Sequence, residues 1–220
     1  NQAEESKEYR RKYLDFLDSR DKDEIQIFFV TNYSCNFACH YCYQDQYDHP
    51  SNKLSREVVD AFFDYVNKEF AARKKYITIF GGEPLLNTPV QKDIIGYIIQ
   101  KSNEAGLSLC FVTNGYFLEE YIPLLKKGDI REIQVTLDGT ESVHNNRRFL
   151  KGGGGTFEKI VKGIDKSLEK GININLRMVV DKKNIDNLAD LSRLAMEKGW
   201  TASPLLKHSW EGITSCTIVS

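Results

Sequence analysis

The sequence predicts an α/β fold: a partial (βα)6 TIM-like barrel of parallel strands, preceded by an N-terminal helix. Two observations predict it. Short β-rich runs alternate with helix-period runs from about residue 25 onwards, and such alternation is typical of βαβ crossovers in a parallel sheet. In the later strands, polar residues such as Asn173, Asn175 and Arg177 alternate with apolar ones, whereas a sheet covered on both faces reads as continuous apolar runs. One polar face therefore indicates a barrel whose interior holds a polar ligand.

Each element has its own pattern. Tyr9, Tyr13 and Leu17 among dense charges predict an exposed amphipathic helix over residues 1–23. Strands are predicted at 25–32, 76–80, 107–113, 132–137 and 172–180, with a weaker sixth at 201–206. Apolar residues at helical spacing predict helices over 58–70, 90–98, 160–168 and 188–194, the first of them capped by Ser55. We therefore expect a helical segment at 1–23, the barrel at 24–206, and the start of a C-terminal extension or tail at 207–220.

Composition excludes several classes of protein. The 220 residues are 41% hydrophobic and 28% charged, as in an ordinary globular protein. The 30 Lys and Arg residues nearly cancel the 31 Asp and Glu residues, so no global basic field indicates binding to DNA. The longest apolar stretches are too short to span a bilayer, and no signal peptide is present at the start. We therefore expect a cytoplasmic protein with no membrane partner.

Three of the five cysteines lie within eight residues: Cys35, Cys39 and Cys42, directly after the first predicted strand. Three thiolates spaced C-x3-C-x2-C in one loop can each bind a different iron of a [4Fe–4S] cube, leaving the fourth iron open. The alternative is zinc, with His40 as the fourth ligand. Adjacent residues such as Cys39 and His40 rarely reach the same tetrahedral centre without strain, so the spacing favours the iron–sulfur cluster.

The cysteine loop has the form C-x3-C-x-aromatic-C, with Tyr41 as the aromatic residue, and it resembles that of the radical S-adenosylmethionine (radical SAM) enzymes. Further matches follow in order at the ends of later strands. They are Gly81-Gly82-Glu83-Pro84, Thr113-Asn114-Gly115 and Thr136-Leu137-Asp138-Gly139, followed by His144, Arg148 and Gly155-Thr156-Phe157. The last series resembles the branch that modifies peptides and proteins, which includes the sulfatase-maturating enzymes and ribosomal-peptide maturases with SPASM-type extensions.

The resemblance implies a [4Fe–4S] cluster and SAM as cofactors. SAM would bind the open iron and be cleaved reductively to a 5′-deoxyadenosyl radical, which abstracts hydrogen from a peptide or protein substrate. An electron donor of the flavodoxin or ferredoxin type is implied as well. Two alternatives stay open: a radical SAM enzyme acting on a small molecule or RNA, and a non-catalytic iron–sulfur or zinc module. The resemblance assigns no catalytic side chain.

The resemblance also implies roles for individual residues in binding SAM. Gly81 and Gly82 would let the backbone approach the ligand closely, Glu83 would accept from the SAM ammonium, and Pro84 would make the turn rigid. The remaining candidates follow the other strands: Tyr41 for adenine, Thr136 for the ribose, Asn114 in the third motif, and Arg148 or Arg177 for the methionyl carboxylate.

Four residues remain less defined. Cys110 lies inside a predicted strand and is expected to be a buried small hydrophobe. Cys216 is either a free thiol or, if the chain is truncated, a ligand of an auxiliary cluster in the C-terminal extension. His208 and Trp210 lie where a substrate could be contacted, but a surface histidine and a packed tryptophan are the simpler interpretation.

Overall fold

The computed structural model describes residues 2–46 and 54–209. Within them, six strands form one sheet in which each strand pairs in parallel with the next along the chain. The strands are β1 (Ile25–Val30), β2 (Lys75–Phe80), β3 (Leu109–Thr113), β4 (Ile130–Thr136), β5 (Ile174–Arg177) and β6 (Leu206–Ser209). The predicted partial barrel of parallel strands is confirmed.

A helix lies in every connection between consecutive strands, as parallel pairing requires. The described residues contain seven α-helices: α1 (Gln2–Lys22), α2 (Arg56–Glu69), α3 (Pro89–Glu104), α4 (Leu118–Leu125), α5 (Glu141–Arg147), α6 (Phe157–Glu169) and α7 (Leu188–Glu197). The N-terminal helix α1 is present as predicted. None of the helices in the described ranges combines the length and the apolar composition that a bilayer crossing requires.

The core lies between the sheet and its helices. Alternate strand residues such as Ile79, Phe111 and Ile133 are fully buried, and they belong to one apolar cluster with helix residues such as Ile98 and Ile164. Side chains alternate between the two faces of a strand. The intervening residues therefore lie on the other face of the sheet, which carries the polar residues noted in the sequence.

The structure corrects three details of the sequence analysis. The sixth strand was predicted at 201–206, but Trp200–Ala202 forms a 3-10 turn and the strand follows at Leu206–Ser209. Burial of Trp200, whose indole Nε1 donates to Asp165 at 2.6 Å, takes that stretch out of the sheet. Helix α4, with Pro123 inside it, and helix α5 were not singled out. Ser55 precedes α2 as predicted, but its side chain makes no capping hydrogen bond.

The C-terminal predictions are only partly covered by the structure. Residues 210–220, with Trp210 and Cys216, lie outside the described residues. His208 belongs to β6, and its backbone pairs with Leu176. The last strand thus runs past residue 206, the predicted end of the barrel, while the division into segments stays a prediction.

Candidate functional site

The motifs singled out in the sequence meet at one edge of the sheet. The cysteine loop follows β1, and the glycine-rich segment beginning at Gly81 follows β2. Asn114 follows β3, Asp138 lies just after β4, and Arg177 is the last residue of β5. All five positions are at the carboxyl ends of parallel strands, which is where barrel enzymes place their active sites.

The cysteine loop is fixed on one side by the segment that follows α5. Ala38 N donates to Phe149 O at 2.9 Å, and Lys151 N donates to Asn36 O at 2.9 Å. A tight turn, in which Cys42 N donates to Cys39 O at 3.1 Å, holds the last two cysteines close together. The three thiol residues of the loop are partly exposed, so they can reach a ligand placed at the strand ends.

The glycine-rich segment fixes the cysteine loop on its other side. Gly82 N donates to Asn32 O at 2.9 Å, and Glu83 N donates to Ser34 O at 2.8 Å. A Cβ on Gly81 would lie 2.3 Å from Asn32 O, and one on Gly82 would lie 2.3 Å from Ser34 O. The two glycines therefore permit close approach of the backbone to the cysteine loop, and their close approach to the ligand stays a prediction.

Glu83 joins the ends of β2 and β3. Its carboxylate is buried, with Oε1 accepting from Leu85 N at 2.8 Å and from Thr113 Oγ1 at 2.6 Å, and Oε2 accepting from Asn114 N at 2.6 Å. Burial raises the pKa of this carboxyl, and the three hydrogen bonds oppose that shift. These contacts occupy much of its acceptor capacity, and its role toward the SAM ammonium stays a prediction.

Asn114 lies directly against the cysteine loop. Its Nδ2 donates to Asn36 Oδ1 at 2.9 Å and lies 3.8 Å from Cys35 Sγ. Burial raises the pKa of the Cys35 thiol to about 11 in the absence of a metal. Asn36 also carries a buried Nδ2 with no hydrogen-bond partner, so a polar group of a ligand would be accommodated beside Cys35.

A closed ring of hydrogen bonds connects the cysteine loop with the segment that follows β4. Tyr41 Oη donates to Asp138 Oδ2 at 2.5 Å, and Arg148 NH1 donates to Tyr41 Oη at 2.6 Å. Asp138 N donates to His144 Nδ1 at 3.1 Å, and His144 Nε2 lies 3.1 Å from Thr156 Oγ1. Thr156 Oγ1 donates to Arg148 O at 2.7 Å, which closes the ring.

The hydrogen-bond donors in this ring fix the protonation state of the His144 imidazole. Because Asp138 N–H donates to Nδ1, the proton of the neutral ring lies on Nε2, from which it is donated to Thr156 Oγ1. Burial lowers the pKa of His144 to about 3, and the nearby charges of Arg148 and Arg147 add to that effect. The imidazole is thus a neutral connector between the end of β4 and the backbone of Arg148.

Asn145, the residue after His144, caps α6. Its Oδ1 accepts from Thr156 N at 2.8 Å and from Phe157 N at 3.0 Å. The cap requires only a side-chain oxygen, which Asn supplies.

The structure adds one residue that the sequence analysis missed. Arg147 donates from Nε to Asp138 Oδ2 at 3.3 Å and from NH1 to Asp181 Oδ2 at 2.9 Å. Its guanidinium also covers the ring of Tyr41, 5.1 Å from the centroid. The only feature of the sequence that could have drawn attention to Arg147 is its position next to Arg148. Arg147 supports the buried carboxylate, whereas Arg148 turns toward the cysteine loop.

The two arginine candidates for a carboxylate ligand differ in their surroundings. Arg148 is buried, and its Nε has no hydrogen-bond partner. Its positive charge acts to lower the pKa of the Cys35 thiol, and it also interacts electrostatically with Cys39. Arg177 is half-buried at the end of β5, beside Thr136 in the sheet register. Burial beside the cysteine loop, where its charge interacts with Cys35 and Cys39, favours Arg148 as the anion-binding group.

The donor set fits an iron–sulfur cube with SAM better than it fits zinc. In residues 2–46 and 54–209, no group of three or more His, Cys, Asp or Glu side chains, the three loop cysteines included, is already arranged to hold a single metal ion. His40, the potential fourth zinc ligand, is exposed beside Phe149. A cube needs one thiolate on each of three irons, and the unpaired Nε of Arg148 provides for an anionic group of a ligand. Cys110 is buried in β3 away from the loop, as expected.

Comparisons with known proteins agree on the superfamily. The family profile described as "Radical SAM superfamily" matches residues 29–195. The chain is 36% identical over 140 residues to a probable GTP 3′,8-cyclase of Methanococcus maripaludis, covering 63% of this chain and 43% of the relative. It is 27% identical over 183 residues to the Fe-coproporphyrin III synthase of Methanosarcina barkeri, covering 82% and 43%. The chain spans about half the length of these curated relatives.

Solved structures show the same fold. The enzyme anSMEcpe with bound AdoMet superposes with a TM-score of 0.73 at 18% identity, covering 86% of this chain and 51% of that one. Streptococcus suis SuiB bound to its precursor peptide SuiA gives a TM-score of 0.66 at 13% identity, covering 97% and 45%. At these identities the likeness concerns the fold alone.

Proposed function

Because the chain belongs to the radical SAM superfamily, we propose that it cleaves SAM reductively and abstracts hydrogen from a peptide or protein side chain. The superfamily uses a [4Fe–4S] cluster and SAM. When bound and reduced, the cluster supplies the electron that cleaves the SAM sulfonium to methionine and a 5′-deoxyadenosyl radical. An electron donor of the flavodoxin or ferredoxin type is part of the same proposal.

The hydrogen-bonded ring through Tyr41, Asp138, His144, Thr156 and Arg148 is the observation that carries this proposal. It unites the cysteine loop with the whole motif series that resembles the peptide-modifying branch. A series of residues that are dispersed in sequence but joined in one buried network acts as a unit. The network supports assignment to that branch more strongly than any one short motif does.

In this proposal, different residues of the chain hold the cluster, bind SAM and position the cysteine loop. Cys35, Cys39 and Cys42 hold the cluster, and the ring keeps Arg148 in place to bind the methionyl carboxylate. The backbone at Gly82 keeps the loop against the end of β2. Pro84 is buried in the turn that follows, and its carbonyl accepts from Gln91 Nε2 at 2.8 Å. These groups bind and orient the cofactors.

A small-molecule substrate is the second candidate, and the curated relatives favour it. Their names describe GTP 3′,8-cyclases and an Fe-coproporphyrin III synthase, so radical SAM enzymes of small molecules are similar in sequence to this chain. The partial coverage of those relatives, 43% in both cases, leaves more than half of each outside the comparison.

One anaerobic experiment tests the chemistry. The chain is reconstituted with iron and sulfide, reduced with dithionite and supplied with SAM, and 5′-deoxyadenosine is measured. We expect the product from the wild type and from Cys110→Ala, a matched control whose thiol lies away from the loop. Cys39→Ala is expected to lose iron, the visible absorption and the product. A fully assembled cluster that gives no 5′-deoxyadenosine, even with candidate substrates, would refute the proposal.

A further inference from the structure

The sulfur of Cys35 is approached by two N–H groups of the protein. Phe37 N donates to Cys35 Sγ at 3.4 Å, and Asn114 Nδ2 lies 3.8 Å from the same atom. Phe37 belongs to the cysteine loop itself, whereas Asn114 follows β3 and is 79 positions away in the chain. Hydrogen bonds to the ligand sulfurs are one of the determinants of the reduction potential of an iron–sulfur cluster. Both donors therefore act on an atom that would bind iron.

The orientation of the Asn114 carboxamide is fixed by its neighbours. Its Oδ1 accepts from Tyr116 N at 2.9 Å, and because a backbone N–H can only donate, the amide nitrogen must lie on the other side. One N–H of Nδ2 donates to Asn36 Oδ1 at 2.9 Å, which leaves the second for Cys35. The ring of Tyr116 also packs edge-on against Phe37, with the centroids 5.8 Å apart. Tyr116 therefore positions both donors.

The backbone of the turn that carries Asn114 is fixed as well. Asn114 N donates to Glu83 Oε2 at 2.6 Å, and Gly115 N donates to Thr113 Oγ1 at 3.0 Å. Gly115 has a φ of +79°, and a Cβ there would lie 2.6 Å from Val135 Cγ1, so the turn is packed tightly against β4. Asn114 is itself buried. The carboxamide is thus held beside Cys35 before any ligand binds.

Asn36 contributes an acceptor and an unsatisfied donor. Its Oδ1 accepts from Asn114 Nδ2, so its own Nδ2 is turned away from that partner. Asn36 Nδ2 is buried and has no hydrogen-bond partner among the residues that the structure describes. A buried donor left unpaired is costly, and sulfur with a negative charge would satisfy it. The two asparagines therefore form a pair of amides suited to a negatively charged ligand of the cysteine loop.

We infer that the Asn36–Asn114 pair raises the reduction potential of the cluster, with Asn114 donating to the Cys35 thiolate and Asn36 positioning Asn114. Reduction adds one electron to the cluster, and hydrogen bonds to the more negatively charged sulfurs become stronger, so the pair stabilises the reduced state. The inference rests on the cluster-binding part of the proposed function. It concerns how readily the same site accepts the electron that SAM cleavage requires.

The first test is an anaerobic redox titration of the reconstituted chain without SAM, followed by the EPR signal of the reduced cluster. Asn114→Asp keeps an acceptor for Tyr116 N and removes the donor to Cys35. Asn36→Leu removes the acceptor that orients Asn114 and adds no charge, so it separates the lost hydrogen bond from the charge that Asp introduces. At a fixed solution potential, the ratio of reduced to oxidised cluster is expected to fall about tenfold in Asn114→Asp, equivalent to about 59 mV for a one-electron couple, and about threefold in Asn36→Leu.

Asn103→Asp is the matched control for the change from amide to carboxylate. Asn103 is exposed near the C-terminus of α3, and its Nδ2 donates to Lys127 O at 2.8 Å. That end of α3 leads into the start of β3, at the edge of the sheet opposite the cysteine loop. The variant is expected to leave the reduction potential unchanged.

A second measurement detects the hydrogen bond itself. The chain is labelled with ¹⁵N in its asparagine side chains, and pulsed EPR of the reduced cluster is expected to show a ¹⁵N coupling in the wild type. The coupling should weaken in Asn114→Asp and persist in Asn103→Asp. A merely structural role of Asn114 would give no such coupling, and this readout needs no variant if Asn114→Asp fails to assemble a cluster.

The outcomes separate the inference from the proposed function. Unchanged potentials in both variants overturn the inference, and so does the absence of a ¹⁵N coupling in the wild type. A wild type that assembles no iron–sulfur cluster refutes the proposed function and the inference together. A wild type that assembles the cluster and forms 5′-deoxyadenosine, with variants of unchanged potential, refutes the inference alone.

Discussion

Tyr41 and Asp138 are 97 positions apart in the chain, and their side chains are joined by a hydrogen bond of 2.5 Å between the phenol oxygen and Oδ2. The same phenol oxygen accepts from Arg148 NH1 at 2.6 Å. Burial raises the pKa of Tyr41, so its hydroxyl stays protonated and continues to donate to Asp138. This one hydroxyl links the cysteine loop to both a buried carboxylate and a buried guanidinium.

Tyr41→Phe is therefore expected to destabilise the protein. Removing the hydroxyl leaves Arg148 NH1 without its hydrogen-bond acceptor and takes one donor from Asp138, and unsatisfied buried polar groups cost about 1–3 kcal/mol each. Urea unfolding monitored by circular dichroism measures the loss, and the KM for SAM is expected to rise in the same variant. Tyr43→Phe, at an exposed tyrosine just after the loop, serves as the control. Equal stabilities of the two variants would contradict the assigned role of the ring.

His144 predicts a specific dependence of stability on pH. Its pKa is about 3 in the folded protein, against about 6.5 in an unfolded chain. The unfolded state therefore binds a proton first as the pH falls, and the free energy of unfolding decreases from about pH 7 downwards toward pH 3. Between pH 7 and pH 5, this single group accounts for a loss of about 2 kcal/mol.

The measurement compares the wild type with His144→Asn in matched cluster-free samples, because Asn does not titrate in this range. We expect His144→Asn to be less stable at pH 7 and to lose less of its remaining stability on acidification. The difference in slope isolates His144 from the carboxylates that titrate in both proteins. Parallel curves for the two proteins would show that His144 is not held neutral by its surroundings.

Gly82→Ala is expected to disrupt the cysteine loop. The added Cβ would lie 2.3 Å from Ser34 O and 2.5 Å from Tyr33 O, and neither backbone atom can move without shifting the loop. We expect a lower melting temperature and a reduced iron content after reconstitution. Gly152→Ala is the matched control, because a Cβ there meets nothing within 4 Å. If Gly82→Ala takes up iron as the control does, the close approach is not required for cluster binding.

Asn145 allows the helix cap to be tested by conservative replacement. Asn145→Ala removes the acceptor for Thr156 N and Phe157 N, and loss of a helix cap costs about 1 kcal/mol. Asn145→Asp keeps an oxygen in place and puts a negative charge near the N-terminus of α6, which is favourable. Thermal unfolding should therefore rank Asp at or above Asn, and both above Ala. A cap role is excluded if Ala equals Asn.

Local patterns in the sequence determined the order of the strands, five of the seven helices in the described residues, and the cysteine loop with the later motifs at strand ends. These features follow from the spacing of apolar residues and from short contiguous motifs, which can be read without knowledge of distant contacts. The weakest predicted strand was displaced because burial of Trp200, a tertiary contact, overrode local propensity at 201–206.

The tertiary structure alone decided what the motif residues do for one another. The sequence identified Gly82, Arg148 and Tyr41 as ligand-binding candidates, and the structure shows Gly82 against the cysteine loop and Arg148 against Tyr41. Arg148 and Tyr41 are 107 positions apart, so no local pattern relates them. They meet because parallel pairing in sequence order brings the carboxyl ends of all six strands to one edge. The identity of the chemistry was thus present in the sequence, while the ring that orients it exists only in the folded chain.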